Sequence, residues 1–258
     1  MAKNAMGSNE NMRSIGFQVN AVVCIGVVLM VTILMAFIGF RSYETMIANG
    51  TREKYNELGM KMSPIQERYS TIYQSAKSLA AQIEQITALP PEQRSRDDVV
   101  RALEAAIAAN PDIVGTGACF EPNAFDGQDT AFANTEFSDA SGRVIPYAAK
   151  DPSGNVVISP LTGYDTDDWY QSPRATQKIT LSEPYWYNAT PTTKYYMLTV
   201  SVPIIENGRF IGAVTVDFDI APFQNDLAKV SSPDNFFVVF SPKGTIIAQA
   251  FKPEWLPS

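Results

Sequence analysis

The segment from Ala21 to Phe40 constrains this chain more than any other, because it is apolar over 20 residues and carries no charge. At 1.5 Å of rise per residue, about 20 residues span a hydrocarbon core of roughly 30 Å. The run is longer than the roughly 7–15 apolar residues of a cleaved signal peptide. We therefore predict a transmembrane helix over 17–40, a cytoplasmic tail over 1–16, and a remainder that lies outside the cytoplasm.

The composition excludes several classes of function. Hydrophobic residues make up 45% of the 258 residues and charged residues 18%, which is typical of a globular domain. The net charge is -7 and no lysine or arginine run occurs, so we expect no nucleic-acid partner. The chain has no histidine, which excludes Ser–His and Cys–His nucleophiles within it. Cys24 and Cys119 form no CxxC motif, which indicates neither redox chemistry nor a thiolate metal site. We expect this segment to have no cofactor, no metal site and no enzymatic activity.

A stripe of apolar residues with alternating spacings of three and four follows the membrane segment and predicts a long helix over 41–88. Its members are Tyr55, Leu58, Met62, Ile65, Tyr69, Ile72, Ala76, Leu79, Ile83 and Ile86. Ser63 and Pro64 fit an N-cap with proline at the first helical position, so we expect a fresh helix to begin there. The stripe either packs on the sheet of its own domain or forms the seam of a homodimer.

The predicted secondary structure changes from helical to β-rich after Pro111. Ser95 caps a second predicted helix that Asn110 and Pro111 end. The predicted strands cover 113–120, 143–149, 155–159, 195–205, 209–218, 236–240 and 245–250. A short helix or a turn is predicted over 165–177, and a helix over 223–230. Most of these strands form hairpins, which indicates an antiparallel sheet and an α+β fold.

Four blocks in this β-rich region carry a resemblance to a known family. They are GACFEPNAFDGQD at 117–129, DWYQSP at 168–173, EPYWY at 183–187 and GRFIGAVTVD at 208–217. In this order, behind an apolar helix and a long helix, they resemble the double-Cache family of extracytoplasmic sensor domains in bacterial chemoreceptors and sensor kinases. The resemblance implies a PAS-like antiparallel-sheet module over 89–230, and the start of a second, membrane-proximal module over 231–258.

Aromatic side chains beside carboxylates form the candidate binding site. A carboxylate offers charge-assisted hydrogen bonds to an amine, and an aromatic face attracts a cation. The candidate ligand-binding residues are Trp169, Tyr170, Tyr185, Tyr187, Asp217 and Asp167. The plainer interpretation is that the aromatic residues anchor the core, while Asp165 and Asp167 cap the helix that contains Trp169.

The family resemblance implies roles for these positions. In members that bind amino acids, the counterpart of Asp217 holds the ligand amine, and the W-Y pair matches Trp169 and Tyr170. Those members place an arginine, which clamps the ligand carboxylate, where this chain has Asp167, and an aspartate where it has Tyr187. An amine without a carboxylate, or a neutral or heterocyclic metabolite, fits this pattern better than an amino acid.

An acidic ligand is the alternative, because two cationic side chains lie near this site in the sequence. Arg174 and Lys178 lie close in sequence to the W-Y pair and can supply the missing positive charge from another direction.

The function that follows from these features is that of a membrane-anchored sensor. We expect a small-molecule ligand, a membrane partner and a homodimer, with a chemotaxis receptor as the first interpretation of the whole protein. A sensor histidine kinase or a diguanylate cyclase with the same sensor domain is the alternative. An anchored extracytoplasmic hydrolase is the interpretation from another class.

Overall fold

A computed structural model describes residues 3–232, 237–241 and 243–249, with side chains from residue 22 onward. The chain divides into two compact units, Met1–Lys61 and Met62–Ser258. The first unit is helical wherever it is described. The second unit combines helices with an antiparallel sheet, which confirms the predicted α+β fold class.

The first helix, α1, runs from Lys3 to Thr87 and is continuous through Pro64. The prediction that a fresh helix begins at Ser63 is therefore wrong. Proline removes one helical hydrogen bond, and because Pro64 is exposed, water can satisfy the carbonyl that this leaves free. Within the described residues, α1 is the one helix long and apolar enough to cross a membrane, and the side chains of its apolar run are exposed.

Three shorter helices follow. They are α2 at Arg96–Ala109, α3 at Asp168–Thr176 and α4 at Ala221–Val230. The hydroxyl of Ser95 accepts a hydrogen bond from the backbone N–H of Asp98, which confirms Ser95 as the N-cap of α2.

Seven antiparallel strands form the main sheet of the second unit. In chain order they are β1 Ile113–Phe120, β2 Pro146–Lys150, β3 Val156–Pro160, β4 Thr180–Leu181, β5 Tyr185–Thr190, β6 Thr193–Glu206 and β7 Arg209–Asp219. Their spatial order is β3-β2-β1-β7-β6-β4, and β5 also pairs with β6. Both predicted hairpins of this sheet are confirmed. The sequence predictions missed β4, which is two residues long, and β5, which was assigned to a turn.

The two faces of the sheet are covered differently. The larger core joins one face to α1 and α2, with Ile72, Leu79 and Ile83 of the apolar stripe fully buried in it. This confirms packing on the sheet for that part of the stripe, whereas Tyr55 and Leu58 in the first unit are exposed. The smaller core covers the opposite face and contains the aromatic residues of α3.

A second sheet of two strands follows α4. It consists of β8 at Val238–Phe240 and β9 at Ile246–Gln249, joined as an antiparallel hairpin. This agrees with the predicted last hairpin, except that residues 236 and 250 lie outside the described residues.

Candidate ligand-binding site

Asp217 lies on β7 in the middle of the sheet, and its carboxylate is almost completely buried at 2% exposure. Its neighbour on β1 is Gly115 and its neighbour on β6 is Thr199. The hydroxyl of Tyr147 donates a hydrogen bond to Oδ2 over 2.7 Å, and the hydroxyl of Thr199 donates one to Oδ1 over 2.7 Å. Residues of β1, β2 and β6 thus surround the buried acid of β7.

Tyr185 extends this hydrogen-bond chain toward the surface. Its hydroxyl lies 2.7 Å from the Thr199 hydroxyl. Because Thr199 has one hydrogen and donates it to Asp217, the Tyr185 hydroxyl must be the donor to Thr199. The polar chain therefore leads from Tyr185 through Thr199 to Asp217.

The Asp217 carboxylate has unused capacity for hydrogen bonds. Two carboxylate oxygens offer about four acceptor positions, and the two hydroxyls occupy one on each oxygen. In the described part of the chain, no lysine or arginine forms an ion pair with it. Burial raises the pKa of Asp217 to about 6, although the hydroxyls of Thr199 and Tyr147 oppose that rise.

Gly115 provides the space for the Tyr147 hydroxyl. A Cβ atom at this position would lie 2.1 Å from that hydroxyl oxygen and 2.9 Å from Oδ2 of Asp217. Any larger residue would therefore push Tyr147 away from the carboxylate. The buried hydrogen bond between Tyr147 and Asp217 therefore requires glycine at position 115.

Three tyrosine rings pack around the carboxylate. Tyr147 and Tyr187 meet edge to face with centroids 5.5 Å apart, and Tyr185 and Tyr187 do so at 6.2 Å. The Tyr187 hydroxyl lies 3.4 Å from that of Thr162. Tyr187, Tyr185 and Tyr147 thus form an aromatic wall beside the acid.

Helix α3 brings Trp169 to the same side of the sheet. The indole is 3% exposed, and its Nε1–H has no hydrogen-bond partner among the described residues. A buried donor without an acceptor is rare in folded proteins and costs free energy. A ligand oxygen or an ordered water at this position would satisfy it.

A pocket of about 460 Å³ opens between the first turn of α3 and the loop before β5. Its lining residues are Thr166, Asp167, Asp168, Trp169, Ser182, Glu183, Pro184, Tyr185 and Trp186. We call it the rim pocket. Asp217 is not among these residues and lies behind Tyr185, so the hydrogen-bond chain of Tyr185 connects the pocket to the buried acid.

Asp167 lies at the N-cap position of α3, but its carboxylate accepts no capping hydrogen bond. The prediction that Asp167 caps this helix through its side chain is therefore wrong. The carboxylate folds back over Gly163, where a Cβ atom would lie 2.0 Å from Oδ2. Gly163 has a φ of +83°, so both the turn and the close approach require glycine.

Tyr170 faces a different network. Its hydroxyl donates to Oε1 of Glu121 over 2.7 Å and receives a hydrogen bond from Arg143 over 3.3 Å. Arg174 also pairs with Glu121, with Nε 3.1 Å from Oε1. Tyr170 is thus held by its hydroxyl away from the rim pocket, and Arg174, the cation considered for an acidic ligand, is already paired.

The structure brings the six predicted site residues to one face of the sheet in three groups. Asp167, Trp169 and Tyr185 line the rim pocket, while Tyr187 and Asp217 lie behind it in the tyrosine cluster. Tyr170 packs in the same small core with its hydroxyl directed elsewhere. Sequence reasoning missed Tyr147 and Thr199, which hold the buried acid.

We expect the raised pKa of Asp217 to appear in the pH dependence of folding. The folded-state pKa of about 6 lies above the usual value near 3.9, so the folded protein binds the extra proton between these values. The stability contributed by Asp217 should therefore fall by about 3 kcal/mol as the pH rises through this window. Ligand-free wild type and Asp217→Asn, unfolded by urea at several pH values, should show this difference. A difference that does not change with pH would contradict it.

The antiparallel sheet with helices packed on it is typical of a PAS-like sensor domain, and the buried acid and the aromatic wall lie on one face of this sheet. Residues 99–225 match the family model described as methyl-accepting chemotaxis protein-like, first PDC sensor domain. Residues 99–225 therefore belong to a sensor domain of the Cache, or PDC, type.

A curated relative and several solved structures agree with this assignment. The methyl-accepting chemotaxis protein TlpQ of Pseudomonas aeruginosa is 26% identical over 143 residues, which cover 50% of this chain and 20% of TlpQ. The chain thus matches only about a fifth of the length of this relative.

Among solved structures, the extracellular domain of mmHK1S-Z3, described as a histidine kinase, is 29% identical with a TM-score of 0.65, covering 75% of this chain and 68% of that one. Methyl-accepting chemotaxis protein X is 25% identical with a TM-score of 0.59, and the match covers 76% of this chain and 74% of that one. The sensory domain of the Campylobacter jejuni chemoreceptor Tlp3, solved with isoleucine bound, shares the fold at 22% identity and a TM-score of 0.54. That match covers 84% of this chain and 75% of the Tlp3 domain.

Proposed function

We propose that this sensor domain binds a small organic cation, a primary amine without an adjacent carboxylate, between Asp217 and the tyrosine cluster. Asp217 carries this proposal, because its buried carboxylate has no ion-pair partner among the described residues. A buried charge is costly unless a partner neutralises it, and an ammonium group would supply both the charge and hydrogen bonds to the free acceptor positions. The rings of Tyr185 and Tyr187 beside it add cation–π attraction.

The rim pocket supports a cationic ligand over an anionic one. Three carboxylates line its mouth, from Asp167, Asp168 and Glu183. They would attract an amine and repel a carboxylate during approach. Asp167 also occupies the position at which the family resemblance implies a carboxylate-binding arginine. An α-amino acid would therefore lose its second anchor in this chain.

Trp169 supplies a second point of recognition. Trp169 lines the rim pocket, and its buried Nε1–H has no hydrogen-bond partner among the described residues, whereas the amine would lie deeper, behind Tyr185. A neutral oxygen of the ligand, such as a hydroxyl or carbonyl, would accept this hydrogen bond without the repulsion that a carboxylate meets.

The whole protein, in this proposal, is a membrane-anchored receptor. The apolar start of α1 would anchor it, the Cache module would lie outside the cytoplasm, and two copies would pair as a homodimer. The similarity to TlpQ supports a chemotaxis receptor as the first choice of output. The similarity to the extracellular domain of mmHK1S-Z3 supports a histidine kinase as the second choice.

A thermal-shift screen of the full chain in detergent tests the ligand class. The panel contains amines, amino acids, organic acids and purines. A ligand at about 100 times its dissociation constant adds roughly 2.7 kcal/mol, which raises the melting temperature by several degrees. We expect amines to give the largest shifts. Shifts confined to carboxylates would contradict the proposed pocket chemistry while leaving the sensor fold unaffected.

A further inference from the structure

The turn that joins β8 to β9 contacts the two acids on opposite sides of the rim pocket. The Ser241 hydroxyl donates a hydrogen bond to Oε2 of Glu183 over 2.6 Å. Lys243 Nζ lies 3.3 Å from Oδ2 of Asp168, the first residue of α3. Both acids line the rim pocket. One turn from the following segment of the chain therefore holds both sides of the pocket mouth.

The Glu183 contact is the stronger of the two. Ser241 is 6% exposed, and its oxygen also accepts the backbone N–H of Thr245 over 3.0 Å, so its hydrogen is fixed toward Glu183. Burial opposes ionisation of Glu183, but hydrogen bonds from Ser241 and Thr245 hold the pKa of this carboxyl below its usual value. The Lys243–Asp168 pair is exposed, and such pairs contribute little energy, although they fix position.

The other end of the hairpin is fastened to α4. The side-chain oxygen of Gln224 accepts the backbone N–H of Gln249 over 2.8 Å, and the side-chain nitrogen of Gln224 donates to the carbonyl of Gln249. Helix α4 follows β7, the strand that carries Asp217. The hairpin is thus bound at one end to the element after the buried acid and at the other end to the pocket mouth.

We propose that the β8–β9 hairpin is a clasp that couples the rim pocket to the segment that follows, with Ser241 and Lys243 as its two contacts. A change in the distance between Asp168 and Glu183 breaks or strains these contacts, because one short turn binds both. A ligand that closes the mouth therefore favours the docked hairpin, and an undocked hairpin weakens ligand binding by the same factor. The ligand part of this statement rests on the proposed function, whereas the contacts do not.

Hydrogen exchange of the full, ligand-free chain in detergent tests the clasp. Ser241→Ala should speed amide exchange about tenfold in the peptide around Glu183, since it removes a hydrogen bond to a charged acceptor. Lys243→Ala leaves the bonds inside the hairpin intact and should speed exchange in the first turn of α3 about threefold. The matched control is Lys229→Ala, which removes another exposed lysine from a pair with Asp226 and should leave both peptides unchanged.

The coupling must also act in the reverse direction. Glu183→Gln should speed exchange in the β8–β9 turn, because the turn loses its charged acceptor. If neither Ser241→Ala nor Lys243→Ala changes exchange at the pocket mouth more than Lys229→Ala does, the clasp is wrong. Since no ligand is added, this result is independent of the thermal-shift screen, which tests the amine proposal.

Discussion

Replacing Arg96 with methionine should lower the free energy of unfolding of the sensor domain by about 3–5 kcal/mol. The guanidinium is buried and binds Asp126 through two hydrogen bonds of 2.7 and 2.8 Å. It also lies 3.1 Å from Asp129 and donates to the carbonyl of Gly142 over 2.7 Å. Removing one partner from such a network leaves buried charges without compensation.

The location of this network explains why the effect should be large. Arg96 is the first residue of α2, whereas Asp126, Asp129 and Gly142 all belong to the long connection between β1 and β2. Its guanidinium also covers the ring of Phe132, with 4.0 Å between its central carbon and the ring centroid. One side chain thus fastens most of an irregular segment to the helical layer.

Urea unfolding followed by tryptophan fluorescence measures this loss. The matched control is Arg101→Met on the same helix, where the arginine is exposed and pairs only with Asp98 among the described residues. The control should stay within about 0.5 kcal/mol of wild type. Equal effects of the two substitutions would show that the buried network does not hold the loop.

Replacing Asp217 with asparagine should weaken amine binding by 2 kcal/mol or more, which is roughly 30-fold or greater, without unfolding the domain. The amide keeps the shape of the carboxylate but loses the charge that pairs with an ammonium. The hydroxyls of Tyr147 and Thr199 can each donate or accept, so they can rotate to suit the amide. Loss of affinity should therefore occur in a folded protein.

Asp219→Asn is the matched control for this substitution. Asp219 ends the same strand, two residues further on, and accepts the backbone N–H of Ala221 over 3.2 Å. Asp219 does not line the rim pocket and has no hydrogen bond to Tyr147 or Thr199 among the described contacts, so its replacement should keep the affinity of the wild type. Calorimetric titration of both variants measures the difference, and equal losses would assign the effect to strand stability instead of to the ligand contact.

Much of the fold follows from the sequence because its signals are local. The period of the apolar stripe predicts α1, and the β-rich runs around Glu206-Asn-Gly208 predict the hairpin of β6 and β7. The restart at Pro64 was wrong because the same residue types occur at a helix start and inside an exposed helix. The outcome depends on the packing of Ile65 and Ile72 on the sheet, which a local motif does not encode.

The partners of Asp217 could not be predicted, because strand register decides them. The turn at Asn207 and Gly208 pairs Glu206 with Arg209, and that register continued would place Leu198 opposite Asp217. A register shift between Ile204 and Ile205 moves the pairing by one residue and places Thr199 there instead.

The contact between Tyr147 and Asp217 could not be predicted either, because it depends on the order of strands in the sheet. Tyr147 reaches the acid because β1 lies between β2 and β7, with Gly117 opposite Tyr147 and Gly115 opposite Asp217. Strands that are far apart in the chain meet only through this topology, and no spacing in the sequence records it.

The pH dependence of amine affinity tests most directly whether Asp217 binds the ammonium group of the ligand. It is measured by calorimetry with the primary amine that gives the largest shift in the thermal-shift screen. An ammonium ion binds the ionised form of Asp217, whose pKa is raised to about 6 by burial. Affinity should therefore be about tenfold weaker near pH 5 than near pH 7, and the weaker binding of Asp217→Asn should not change between these pH values. An affinity that is equal at the two pH values, or a panel in which no amine binds, would contradict the binding of an amine by Asp217.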